Sequence, residues 1–127
     1  MTVFWQLLGV GLAGALGTVA RYGVNLGMTR LFGSYPWGTV VVNLLGCLVF
    51  GFLFAFFAAE KLPTHYKVVI LTGFLGGFTT FSAYAFEIAD FLEKSRYVAA
   101  MFHFGLQNIL GILAVFAGLM LGRSLVA

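Results

Sequence analysis

Charge is what this sequence has least of. Only 4 of its 127 residues are acidic and 7 are Lys or Arg, so charged side chains make up 9% of the chain. A soluble domain could not cover its surface with so few charges. Cysteine occurs once, as Cys47, which excludes an internal disulfide and leaves the residue a small apolar packing role. Proline occurs twice, at Pro36 and Pro63, both in short connectors between apolar runs. The formal net charge of +3 is spread along the chain without a polybasic run, which argues against a nucleic-acid partner. No Cys or carboxylate stands at ligand spacing from the in-span His103, so a transition-metal site is not expected. Nor is a nucleophile–base pair evident, and an enzyme is not expected either.

What fills the chain instead is apolar. Hydrophobic residues make up 61% of it and the mean hydropathy is +1.03, which makes it an all-α integral membrane protein with a single domain over residues 1–127. Four uncharged stretches reach the length of about 20 residues that a bilayer-spanning helix needs. They are residues 2–20, with a continuation past Arg21 to about 29; a second within 31–59, starting at Trp37 because Pro36 suits a helix start; a third over 68–86, running on towards 91; and a fourth over 97–122. The first run has no basic residue before it and is of full span length, so it is read as a span, not a cleaved leader. Lys61, Lys67 and Arg123 fall on one side of such a four-helix bundle, and Arg30, Lys94 and Arg96 on the other. Lys and Arg in the loops normally set orientation. A count this even predicts insertion in both directions, and two copies could then pair antiparallel.

Polar residues inside spans are the functional candidates of such a protein. Asn43 lies in the second span with Thr39 four residues earlier, on the same helical face. Asn is also common interhelical glue in membranes. Gln107 and Asn108 present amides in the fourth span, and His103 lies a turn before them. Glycines 9, 11, 14 and 17 in the first span, and 111, 118 and 122 in the fourth, recur at spacings that suit close helix packing.

The third span is different. It reads Gly73-Phe-Leu-Gly-Gly-Phe-Thr-Thr-Phe-Ser-Ala-Tyr-Ala-Phe86, with paired glycines followed by three hydroxyl residues. Gly is among the poorest helix formers, so the expectation is a helix broken mid-membrane, one half ending near Gly76 and the next starting near Thr80. Such breaks are tolerated where they are buried in protein or line a cavity. Their free carbonyls can coordinate a small cation, while a half-helix N-terminus favours an anion. Two copies meeting there around a twofold axis would double each carbonyl, giving an oxygen cage suited to Na⁺. Phe78, Phe81 and Tyr84 recur at three-residue steps and are expected to share a face of the second half. Aromatic rings carry positive edges, which could line an anion path without a full positive charge to trap the ion.

Three stretches carry a resemblance. Gly14-Ala-Leu-Gly-Thr-Val-Ala-Arg-Tyr22, Pro36-Trp-Gly-Thr-Val-Val-Val-Asn-Leu-Leu-Gly46 and Thr72-Gly-Phe-Leu-Gly-Gly-Phe-Thr-Thr-Phe-Ser82, with Glu87 following, resemble the CrcB/Fluc family of fluoride channels over all four spans. The resemblance implies a dual-topology homodimer in the bacterial inner membrane, with two fluoride pathways between antiparallel subunits. It implies passive fluoride export and fluoride resistance. It also implies a structural Na⁺ on the twofold axis, held by the main-chain carbonyls of Gly76 and Thr79. Asn43 matches the family's pore asparagine, Phe81 the first phenylalanine of its ring-edge pair, and Arg21 the arginine at the pathway mouth. Tyr84, Ser82 and Thr39 complete the expected ion track. Where relatives continue Thr-Phe-Ser, this chain has Ala83-Tyr84-Ala85, and Gly111-Ile112 stands where many have Gly-Ser.

Two rival readings have different requirements. A proton-coupled exporter of organic cations, resembling the small multidrug transporters, needs a membrane-buried carboxylate. Glu87 is the one candidate near a span interior. A non-conducting subunit of a heteromeric channel would give no flux under any gradient.

Overall fold

The computed structural model describes residues 2–127. Every regular element among them is helical. Helix α1 is Val3–Phe32 and α2 is Trp37–Ala58. Next comes α3, residues 65–78, made of a turn His65–Lys67, a π-helical stretch Val68–Leu75 and a last turn Gly76–Phe78. Helix α4 is Phe81–Glu93 and α5 is Tyr97–Val126. Taken as Val3–Phe32, Trp37–Ala58, His65–Glu93 and Tyr97–Val126, four segments are long and apolar enough to cross a bilayer. The chain is a multi-pass membrane protein.

Helix α1 outruns both ends suggested by the sequence. Arg21 does not stop it, because the guanidinium turns inward and finds a carbonyl on the third span. The helix ends only at Gly33, whose φ of +76° is the left-handed conformation that glycine adopts at no steric cost. At about 1.5 Å per residue, its 30 residues exceed the hydrocarbon core of ~30 Å, so one end reaches the headgroup region or the helix tilts. Pro36 caps α2, as its fixed backbone and missing N–H favour.

Close approach of backbones holds the bundle together. A Cβ on Gly118 would lie 2.1 Å from the Leu48 carbonyl oxygen, and one on Gly51 would lie 2.2 Å from that of Val115. Helices α2 and α5 therefore touch through their main chains, the small-residue packing expected of membrane helices. The same device joins α1 to α3. A Cβ on Gly17 would meet the Phe74 oxygen at 2.1 Å, and one on Gly77 the Gly14 oxygen at 2.4 Å. Phe57, Leu71 and Leu75 form a buried apolar cluster between α2 and α3. Large apolar side chains elsewhere, such as Leu12, Leu16, Met101 and Phe116, face outward.

Candidate functional site

The sequence places weak helix formers at Gly76 and Gly77, yet both are helical. Helical backbone gives way instead at Thr79 (φ −82°, ψ 161°) and Thr80 (φ −152°, ψ 115°), both extended. Gly77 is spent on contact with α1, and the Thr79 N–H still reaches the Leu75 carbonyl at 2.9 Å. Helix α4 then starts afresh, with the Thr80 hydroxyl accepting from the Ala83 N–H at 3.2 Å as an N-cap.

The extended pair leaves backbone groups that need partners. In a continuous helix the Thr80 N–H would serve the Gly76 carbonyl. Here it donates to Asn43 Oδ1 at 2.8 Å, and Asn43 Nδ2 donates back to the Thr80 carbonyl at 3.0 Å. One amide side chain on α2 satisfies both main-chain groups of Thr80. On the opposite side, Arg21 Nη1 donates to the Thr79 carbonyl at 3.4 Å and the Thr18 hydroxyl to the Gly77 carbonyl at 3.5 Å.

From Asn43 a second set of contacts runs towards the connector between α1 and α2. Asn43 Nδ2 also donates to Gln107 Oε1 at 2.6 Å. Gln107 Nε2 lies 2.9 Å from His103 Nε2, which is itself 2.9 Å from Glu87 Oε2. The Thr39 hydroxyl donates to Glu87 Oε1 at 2.5 Å, and His103 Nδ1 is 3.2 Å from the Tyr35 hydroxyl. His103 is 0% exposed, and the Glu87 side chain 19%. Rings of Tyr35, Tyr84 and Phe91 surround the imidazole, each with its centroid under 6 Å away, at 5.7 Å in all three cases. Burial pushes the Tyr35 phenol above its ordinary range, so it stays a neutral hydroxyl at physiological pH.

Of the residues singled out in the sequence, Asn43, Gly76, Thr79, Phe81 and Tyr84 line one cavity of about 350 Å³, together with Asn108. Tyr84 is buried and its hydroxyl accepts from Asn108 Nδ2. Phe81 is 78% exposed, its ring centroid 5.6 Å from that of Tyr84. Thr39 sits apart from the cavity, against Glu87, and Arg21 on the far side of the extended pair. Ser82 is exposed, with its hydroxyl 3.4 Å from that of Thr80. Phe78 corrects the expected aromatic face: it precedes the extended pair and stacks on Phe74, centroids 6.0 Å apart, not beside Phe81. Gln107 and His103, noted in the sequence as in-span polar candidates, and Glu87, noted as the carboxylate an exporter would need, are the network members that were not assigned to the ion track. The signal for two of them was present, since His103 and Gln107 lie four apart in one helix and so share a face.

Four apolar spans, an extended interruption beside a cavity and a buried polar track define a helical multi-pass membrane protein with a polar site inside its bundle. A family model described as CrcB-like protein, Camphor Resistance (CrcB), matches residues 8–119. The chain belongs to the CrcB family. It is 48% identical over 116 residues to the fluoride-specific ion channel FluC of Solidesulfovibrio magneticus, covering 90% of this chain and 93% of that one. The FluC of Nitrosococcus oceani is 46% identical over 117 residues, 90% and 94% of the two chains. That of Dehalococcoides mccartyi is 41% identical over 122 residues, 94% of each.

Proposed function

We propose that this protein is a fluoride-selective channel that lets fluoride leave the cell passively and so confers fluoride resistance. The observation that carries the reading is the 48% identity, over 90% of the chain, to a relative named as a fluoride-specific ion channel. The chemistry of the cavity agrees with it. Fluoride is small and strongly hydrated, so a path must replace its water with donors that also let it go. Phe81 offers a ring edge. The Tyr84 oxygen accepts from Asn108, which leaves its own O–H proton to donate. Both Asn43 N–H groups are committed to Thr80 and Gln107, so an anion would compete with the Gln107 carbonyl for one of them. In this reading Ser82 and Thr39, which lie outside the cavity, would extend the polar track, and Arg21, across the extended pair, would add positive potential at the mouth.

The third span is, in this reading, a helix broken at mid-membrane depth, and the working unit is an antiparallel dual-topology homodimer in the inner membrane with two pathways at its interface. Phe81 would then be covered by the second copy. A structural Na⁺ fits the donor set at the twofold axis. The Gly76 carbonyl has lost its α-helical partner to Asn43, and neutral main-chain oxygens suit a hard monovalent cation. The Thr79 carbonyl would join it by exchanging the long Arg21 contact of 3.4 Å. Bound there, the ion would offset the partial negative charge of these main-chain oxygens.

The test is fluoride efflux from liposomes holding only the purified protein, read with a fluoride electrode beside a chloride control. Fast fluoride efflux without chloride efflux is expected. No fluoride efflux from a well-folded dimer would overturn the reading and favour a subunit that needs a partner. Fluoride flux that persists in Glu87→Gln would separate the channel from a proton-coupled exporter dependent on that acid.

A further inference from the structure

The amide of Asn108 can be oriented without ambiguity, because one of its neighbours can only accept. One amide atom of Asn108 lies 2.8 Å from the main-chain carbonyl oxygen of Phe104, four residues earlier in α5. A carbonyl offers lone pairs and no hydrogen, so the atom facing it is Nδ2 and not the amide oxygen. That same Nδ2 meets the Tyr84 hydroxyl. It has two hydrogens and no lone pair to offer. One hydrogen goes to Phe104 and the other to Tyr84, whose phenol oxygen is therefore the acceptor.

That polarity decides what the Tyr84 proton is free to do. Among the described residues the hydroxyl has no other hydrogen-bond partner, so its own hydrogen is uncommitted. The residue is only 6% exposed, and a polar hydrogen so buried costs stability while it stays unpaired. The ring is held on two sides, with centroids 5.7 Å from His103 and 5.6 Å from Phe81. Rotation about the C–O bond is the freedom left, and Asn108 occupies the accepting side of the oxygen. Tyr84 and Asn108 both line the cavity of about 350 Å³ beside the extended pair. Of the other polar hydrogens in that lining, those of Asn43 Nδ2 go to Thr80 and Gln107, and that of Thr79 Oγ1 goes to Leu75.

We propose that Asn108 is a positioning residue of the ion path: it engages the Tyr84 oxygen as an acceptor and so presents the phenol proton to the cavity as a donor for a small anion. The proposal rests on the fluoride reading and deepens it. The ligand class follows from the polarity. A hydroxyl whose oxygen is already engaged by an N–H favours a partner that accepts and has nothing to donate, which describes a halide. A hydrogen bond to an anion is charge-assisted and about twice as strong as a neutral one, whereas a ring edge offers only C–H dipoles. Tyr84 therefore acts through its hydroxyl more than through its ring, and α5 sets the direction of that hydroxyl from Asn108.

The decisive measurement is the tyrosine C–O stretch of the protein in liposomes, isolated for Tyr84 by subtracting the matching spectrum of Tyr84→Phe. This vibration sits higher when the phenol oxygen only accepts than when the hydroxyl donates. Fluoride is expected to lower it and chloride to leave it in place. In Asn108→Asp the carboxylate accepts from the phenol, so the band is expected low before fluoride is added and unmoved afterwards. Should that variant misfold, Asn108→Leu supplies neither donor nor acceptor, and the fluoride-free band must leave its native position. No fluoride shift in the native protein would overturn the anion contact, and a fluoride-free band that stays in place in the variants would overturn the role of Asn108. Fluoride efflux gives the second arm. Tyr84→Phe keeps the ring and loses the donor, so the fluoride concentration that half-saturates efflux is expected to rise roughly tenfold. An unchanged half-saturation would overturn the donor role. A fluoride-dependent shift of the band with no fluoride efflux would leave the contact standing and overturn the channel reading alone.

Discussion

Asn43 and Phe81 both line the cavity, but they stand in opposite relations to the fold. Asn43 closes both backbone groups of Thr80 and hands a third bond to Gln107, whereas Phe81 is 78% exposed and supports little within one protomer. Their variants are therefore expected to separate stability from flux. Asn43→Asp turns a donor into an acceptor facing the Thr80 carbonyl, an unsatisfied buried contact that costs about 1–3 kcal/mol. It should lower the thermal midpoint in detergent as well as slow fluoride efflux. Phe81→Ile removes the ring edge but no buried contact of its own chain. It should leave the monomer's helical content and folding intact while reducing flux by roughly tenfold, the scale of an aromatic contact. Equal thermal shifts in the two variants would refute the distinction, and normal efflux in Phe81→Ile would remove the ring edge from the path.

At the scale of the element, the interrupted third span shows what a sequence can and cannot carry. The four spans were legible because lipid demands long uncharged runs, and α2 begins at Trp37 as Pro36 suggests. The ends of α1 were not, since the fate of Arg21 depends on a carbonyl 58 positions away. Nothing in Val68–Leu75 announces a π-helix, because its wider turns are a response to packing, not a propensity. The Gly76–Gly77 pair was read as a point of weakness. Gly77 turns out to be a point of contact, with a Cβ placed 2.4 Å from the Gly14 oxygen, whereas Gly11 has nothing within 4 Å. Asn43 could be picked out as a lone amide in an apolar run, but its pairing with Thr80, like the Gln107–His103–Glu87 series, joins three helices and has no local signature. Gly77→Ala is accordingly expected to destabilise by about 1–3 kcal/mol through overpacking against main chain. Gly11→Ala should be neutral or slightly stabilising, as removal of a helical glycine usually is. Thermal unfolding of the two variants side by side checks the contrast, and equal midpoints would mean that α1 and α3 do not bear on each other through this contact.

For the whole molecule, orientation is the property on which the proposed assembly depends. Arg30, Lys94 and Arg96 stand on one side and Lys61, Lys67 and Arg123 on the other, the even count on which the proposed insertion in both directions rests. Arg30, Lys61, Lys94 and Arg123 are all exposed, and the single ion pair among them, Lys94 with Asp90, is a surface pair worth at most about 1 kcal/mol. They can be removed with little cost to the fold. Lys61→Ser with Arg123→Ser leaves Lys67 alone against three, which should insert every copy with the Arg30 side inside. Arg30→Ser with Lys94→Ser leaves Arg96 alone and should insert every copy the opposite way. An antiparallel dimer cannot form from either variant by itself, so cells lacking their own fluoride export should remain fluoride-sensitive with each one and become resistant when both are expressed together. Side-specific labelling of a cysteine placed in the second connector would verify the two orientations. Resistance from one locked variant alone would mean that copies in a single orientation suffice, and the antiparallel arrangement, with the shared Na⁺ site and the covering of Phe81 that follow from it, would have to be given up.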